Sequence, residues 1–431
     1  MNAALALAPR LAVGRLRGAR GGATLDVLAV IAFTVSAFLV FTVAGGAWMF
    51  LQRNAKPPAA VLELYGPVEQ SGSILVGYVL LAAVACALMV GPVLNLGAGA
   101  ARLGARGRAG RLASLRLVGA TGSEVVAMSV VETLVQALVG TVAGLGLWVA
   151  TLPAWQMVSF HDVPIGAGEL VPPWWLIAAL AVGLLALAAL STVLGLQEVR
   201  ISPLGVASRQ TPRALRAWRL GMFLVAIGAM VVFGQAIMPS MTDLSGIIVV
   251  FMVLVLFVVG GVNLVGPWVL QLLARPGTRL RSPAALIAAL RIIDDPRAAW
   301  RNVSAVALLG MIAALVGIAP MGVAGAEMDE VSRILVFDIR TGVVITLAVG
   351  LLVAATSTLV NQGAAVFDRA EQAVALDHAG VPRSLFGAIR RRQVLVPLLA
   401  TLTISIGSGL VIRTPDMVRK FAGSQGRFLV S

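Results

Sequence analysis

Few side chains in this chain are placed for catalysis. His161 and His378 lie far apart and form no metal-ligand cluster. Cys86 is the single cysteine and sits in an apolar run, so no internal disulfide can form. A phosphate-cradling G-x-x-x-x-G-K-[ST] loop needs a lysine after a glycine, and the only lysines are Lys56 and Lys420. No nucleophile–base pair is apparent, so the chain reads as non-enzymatic, without a metal or cofactor of its own. The informative residues are polar groups in apolar surroundings and a pattern that occurs twice. Glu132 is the clearest acid inside an apolar run, where a carboxylate is costly and calls for a function or a specific partner. It lies about two helical turns from one end of that run, within reach of interfacial water or of Arg116. Structural pairing is therefore expected ahead of substrate or proton work. Gln393 holds the equivalent place later in the chain. The repeated pattern is Ser114-Leu-Arg-Leu-Val-Gly119-Ala-Thr121 and Ala375-Leu-Asp-His-Ala-Gly380-Val-Pro382. A glycine there suits a helix end because it tolerates positive φ. His378 falls within that pattern, and both histidines are expected to be solvated.

The elements that carry these residues are membrane helices. The chain is 59% hydrophobic and 12% charged, more apolar than a soluble fold of this size can hide. Apolar stretches predict nine spans, near 24–50, 73–95, 125–152, 173–195, 220–238, 246–273, 303–323, 342–360 and 393–412. A tenth stretch, around Ala284 to Ile293, is too short and carries Arg291, so it reads as an amphipathic cytoplasmic segment. The first run is longer than a signal-peptide core and follows Arg10, Arg15, Arg17 and Arg20, which predicts a cytoplasmic N-terminus. The net charge of +14 could suggest nucleic acid. Assigned alternately to the loops, however, 25 of the 33 Lys and Arg residues fall on the cytoplasmic side. The outer loops hold the acids, including Glu63, Asp162, Glu169 and Asp338, as positive-inside sorting requires. The tryptophans, Trp148 and Trp300 among them, read as an interfacial belt.

The two patterned segments occupy matching places. Asp26-Val-Leu-Ala-Val30 opens the first helix and Asn302-Val-Ser-Ala-Val306 the seventh. An outer loop, a second helix, a basic segment and a third helix follow each. This predicts two helical modules related by internal pseudo-symmetry, 1–210 with four helices and 281–431 with three, joined by a two-helix insert over 211–280. Gly140 and Gly144 make a small-residue face on the third helix, with Ser405 at a matching position on the ninth. Such faces let helices approach closely, and an interface between the modules is expected there.

These residues resemble the FtsX/MacB-like permeases of ABC transporters, also called type VII or mechanotransmission proteins. In that family the segment between helices two and three reads like R-x-x-E-x-x-x-L-R-A-x-G-A-T. Arg108, Leu115, Arg116, Gly119, Ala120 and Thr121 match it, with Arg111 where the family often has an acid. In the second copy Arg369, Leu376 and Gly380 match, Glu371 lies one residue short of the acid, Asp377 replaces the arginine and Pro382 the threonine. Arg200-Ile-Ser-Pro203-Leu204 resembles the close of a module, and Asp295-Pro296-Arg297 the entry to a second.

The resemblance implies a permease subunit of a bacterial cytoplasmic membrane. Two separate ABC ATPase subunits would bind ATP and Mg and dock on the two patterned segments. Their closure would drive export or extrusion of a lipophilic or peptide substrate. Membrane lipid and an additional extracytoplasmic protein are the other implied partners, and nucleic acid is not one. The alternative within the family is a mechanotransmitting scaffold that regulates an outer partner such as a cell-wall hydrolase. A proton-coupled transporter fits less well, because inverted repeats and several intramembrane acids would be expected. The family's second module adds a tenth helix, and the sequence ends at Ser431 where that helix is expected to begin.

Overall fold

Backbone in hydrocarbon must satisfy its own hydrogen bonds, so apolar runs of this length form helices. The computed structural model describes residues 22–65, 68–117, 121–166, 168–200, 218–233, 244–301, 303–304, 330–368 and 370–412. Its helices are α1 (Gly22–Ala55), α2 (Ala59–Tyr65), α3 (Val68–Leu117), α4 (Gly122–Trp155), α5 (Trp174–Arg200), α6 (Trp218–Val232), α7 (Leu244–Ala274), α8 (Pro283–Asp294), α9 (Glu330–Asp368), α10 (Ala370–His378) and α11 (Arg383–Ile412). Between α4 and α5, β1 (Ser159–Phe160) pairs antiparallel with β2 (Val163–Pro164). Among the described residues five helices are long and apolar enough to cross a membrane: α1, α3 over Ile74–Ala101, α4, α5 over Trp174–Leu194, and α9 over Glu330–Gly363. The architecture is that of an all-α membrane protein.

Two helices overrun their predicted limits. The span expected at 73–95 belongs to α3, which continues without a break to Leu117. At 1.5 Å per residue its 50 residues extend about 75 Å, more than twice the roughly 30 Å of a bilayer core. The span expected at 342–360 lies inside α9, which starts at Glu330. That earlier start places Asp338 in a helix rather than in an outer loop, because Ile334, Leu335 and Ile345 find apolar partners along the bundle. The span expected at 303–323 lies almost wholly outside the described residues, as does the end of the one expected at 220–238. The stretch Ala284 to Ile293 is helical and two-faced: Ala284, Ala288 and Ile292 are buried and Leu290 is exposed.

α1 is the central element, packed by α3, α4, α5 and α9. Leu25, Ala29, Ala32 and Phe33 of α1 meet Ala100 and Leu103 of α3, Ala137 of α4, Ala188 of α5 and Val360 of α9. Further along, Leu39, Leu96, Val353 and Ala354 join α1, α3 and α9. Two tryptophans assigned to the interface are buried instead, Trp148 in this interior and Trp300 in a separate cluster with Leu270, Ala274 and Ile292 of α7 and α8. Trp148 is buried against Phe41. Trp300 lies flat over Gly266, where any Cβ would collide with its ring, and donates Nε1–H to Asn263 Oδ1 at 2.9 Å. Burying such large rings needs a partner for the indole N–H, and Asn263 supplies it. The bundle thus has a hairpin end, where α1 and α4 finish and α9 begins, and a basic end, where α3 finishes and α4 and α11 begin.

Candidate functional site

At the basic end the two patterned segments take different local forms. Arg108, Arg111, Leu115 and Arg116 lie on the last turns of α3, so the first segment is an extension of a spanning helix. Gly119 and Ala120 lie outside the described residues. Thr121 caps α4: its Oγ1 accepts the Glu124 N–H, and the Glu124 side chain accepts the Thr121 N–H at 2.9 Å. This is a reciprocal capping box. In the second copy α9 ends at Asp368 and α10 is a separate short helix carrying Glu371, Leu376 and Asp377; Arg369, between them, lies outside the described residues. Gly380 ends α10 with φ +81°. Its N–H donates to Asp377 O at 3.0 Å and the Val381 N–H to Leu376 O at 3.1 Å, the paired bonds of a Schellman stop that favours glycine. Pro382 follows and α11 begins. Leu376, Asp377, Gly380 and Pro382 are all exposed.

The small face of α4 packs differently from expectation. A Cβ on Gly140 would stand 2.5 Å from Phe33 Cβ, and one on Gly144 2.6 Å from Ala37 Cβ. Both glycines therefore admit α1, which packs across this face of α4. α1 needs this approach because α3, α5 and α9 already occupy its other sides. Gln136 reinforces the crossing by donating Nε2–H to Asp26 Oδ1 at 2.9 Å. Glu132 is buried on α4 one turn before Gln136. Gln393 is half-buried on α11, and Ser405 lies near the end of the same helix.

The hairpin end holds a polar cluster that the sequence reading did not assemble. Arg53, in the last turn of α1, is 2% exposed. It donates Nε–H and Nη2–H to Glu169 Oε2 at 2.9 and 2.7 Å, Nη1–H to Phe160 O at 2.8 Å, and Nη2–H to Pro164 O at 3.2 Å. The guanidinium is satisfied by the hairpin it supports. His161 and Asp162 form the two-residue turn, both at positive φ (59° and 58°). That is the geometry of a type I′ hairpin, usually given to Asn-Gly. His161 is held there by its neighbours, being 1% exposed rather than solvated. Its N–H donates to Asp338 Oδ2 at 2.8 Å, and its ring lies 4.1 Å from that of Tyr78. Burial, and then the Arg53 charge, push its imidazole down to about 4. Tyr78 Oη donates to the same Asp338 oxygen at 2.6 Å. One carboxylate thereby ties α3, α9 and the α4–α5 hairpin together. The sequence clue was Arg53 itself, a base against the positive-inside trend at the end of a long apolar run.

Directly beneath this cluster α1, α3 and α9 diverge around a cavity of about 240 Å³. Its walls are apolar and aromatic, with Phe50, Trp148, Trp155 and Phe160 on one side and Ile339, Val343 and Val349 on the other. Asp338 and Tyr78 form its polar rim.

Residues 96–203 match the family model described as FtsX-like permease C-terminal. That segment is similar to the C-terminal part of FtsX-like permeases. No curated protein and no solved structure matches it. The FtsX-like segment comprises the basic end of α3, all of α4 and α5, and the hairpin. It therefore includes the Thr121 turn, the glycines that admit α1, and four members of the polar cluster: Phe160, His161, Pro164 and Glu169. Arg53, Tyr78 and Asp338 come from outside the matched permease segment.

Proposed function

We propose that this FtsX-like permease is the membrane component of an ABC-type system. ATPase chains bind at its basic end, on the α3–α4 turn and on α10 with the Gly380 turn. The observation that carries this reading is the position of the family match: it begins within α3 and runs through the end of that helix and the whole of α4. A helix of about 75 Å can pass a displacement at its basic end toward the hairpin end, with Pro92 in its interior as the place where it would bend. Closure of two ATPases would shift two packed arrangements of helices against each other, a rigid-body transition about a bistable interface. The second module, 281–431, supplies the other handle, and the cytoplasmic face is the basic one. The cargo is lipophilic and enters laterally, because the partly open space between α1, α3 and α9 is lined by apolar and aromatic side chains.

The test is purification from the native host in mild detergent. An ATPase at about two copies per permease, lost when Gly119 and Gly380 are both replaced by leucine, is the expected result. Recovery of the intact permease without an ATPase, under conditions that keep other membrane complexes together, contradicts the reading.

A further inference from the structure

Asp338 is 2% exposed and lines the cavity between α1, α3 and α9. Both of its hydrogen bonds, from Tyr78 Oη and from the His161 N–H, enter Oδ2. Oδ1 is buried and has no protein partner. An acceptor left so is costly, and a buried carboxylate oxygen without a partner calls for one. The nearest strong cation, Arg53, is turned to Glu169 and the hairpin carbonyls. Among the described lining residues Asp338 is the only carboxylate, and no Lys, Arg or His joins it. Thr42 and Thr346 donate their hydroxyls to Phe38 O and Gly342 O of their own helices, so neither offers a donor to Oδ1. What remains is an aromatic and aliphatic chamber with one unfilled acceptor at its rim. The chamber exceeds the roughly 150 Å³ that suffices for a benzene-sized guest, and aromatic faces favour a cation brought among them.

We infer that this chamber binds an amphiphile bearing a single amine. The amine pairs with Asp338 Oδ1, and a ring or short alkyl body fills the space between α1 and α9. An amine makes this pair wherever the shared proton starts. The inference rests on the permease reading only in treating the guest as cargo. Binding itself needs no ATPase.

The experiment is equilibrium dialysis of tritiated octylamine against the purified chain in lipid nanodiscs, with empty nanodiscs as background. Octanol and octanoate serve as matched probes. Saturable binding of one octylamine is expected, with octanol at least tenfold weaker and octanoate at background. Asp338→Asn retains an oxygen for Tyr78 and His161 and removes the charge, so octylamine affinity should fall at least tenfold while octanol affinity stays. Gly342 lines the chamber, and a Cβ there meets nothing within 4 Å. Gly342→Phe should therefore fill the space, abolish binding of both, and leave Asp338 in place. Octylamine binding unchanged in either variant overturns the inference and leaves Asp338 as an anchor for the hairpin alone. If Asp338→Asn does not fold, Gly342→Phe decides. Failure here leaves the ATPase-docking reading standing, and loss of that reading leaves this result standing.

Discussion

At the hairpin end, a buried arginine, a strained two-residue turn and a carboxylate shared by three elements join α1, α3 and α9 to the FtsX-like segment. At the basic end α4 starts and α10 stops on an exposed cap, and the bonds holding each turn run between residues no more than five apart in sequence. The hairpin cluster is held by bonds between distant parts of the chain, whereas the two basic-end turns are held by local ones, although the helices they end pack over long range. A local cap preserves its own shape while the helix it ends is pushed. A long-range cluster resists displacement until all its bonds yield together. On the proposed reading, in which ATPases act at the basic end, the turns would be the handles and the cluster the latch.

Breaking the latch should have the largest effect. Arg53→Leu leaves Glu169 and two hairpin carbonyls without their donor. Glu169 is one-third exposed and can be hydrated, so the cost is about 1–3 kcal/mol for each buried acceptor left unpaired, to be read as a lower unfolding midpoint in detergent. Acid should weaken the same end. His161 is neutral in the fold and takes a proton only near pH 4, whereas unfolded it does so near 6.5. The unfolded chain therefore binds the extra proton between those values. The contribution is complete above about pH 6.5 and is lost as the pH falls toward 4, amounting to roughly 3 kcal/mol. His161→Asn tolerates the positive φ and should flatten that dependence.

Between the two ends lies the α1–α4 crossing. Gly144→Ala sets a Cβ within 2.6 Å of Ala37 Cβ and of Thr34 O, and backbone cannot yield cheaply. Overpacking of this kind costs about 1–3 kcal/mol, measurable by denaturation in mixed micelles. Gly146, where a Cβ meets nothing within 4 Å, should accept alanine without loss. The caps come last. Gly380→Ala strains a left-handed residue by about 1–2 kcal/mol, and Thr121→Ala removes a cap worth about 1 kcal/mol. Each should leave global stability nearly unchanged while speeding hydrogen exchange in the adjacent helical turn.

The helices were legible because length and hydropathy decide them, and α1, α4 and α5 lie where their apolar runs predict. The Gly380 turn was legible too, since positive φ is a local property and glycine announces it. Long-range partners were not. Nothing near Asp338 in sequence says that α9 begins early enough to bury it, or that its oxygen receives Tyr78 from 260 positions away. His161 read as a loop residue because type I′ turns normally show Asn or Gly, and the bonds that hold a histidine there come from other helices. The small face on α4 was visible, but its partner was misjudged. A glycine stripe reports that something approaches closely without saying what.

The most direct test of the account is a cross-link from the second handle. With Cys86 replaced by serine and Leu376→Cys introduced on exposed α10, a thiol-reactive photo-cross-linker is applied to native membranes and the adducts identified by mass spectrometry. The account predicts a specific adduct with an ABC ATPase that diminishes when Gly380 is also replaced. Full labelling of position 376 by a membrane-impermeant maleimide added from outside intact cells, with no ATPase adduct, would contradict it.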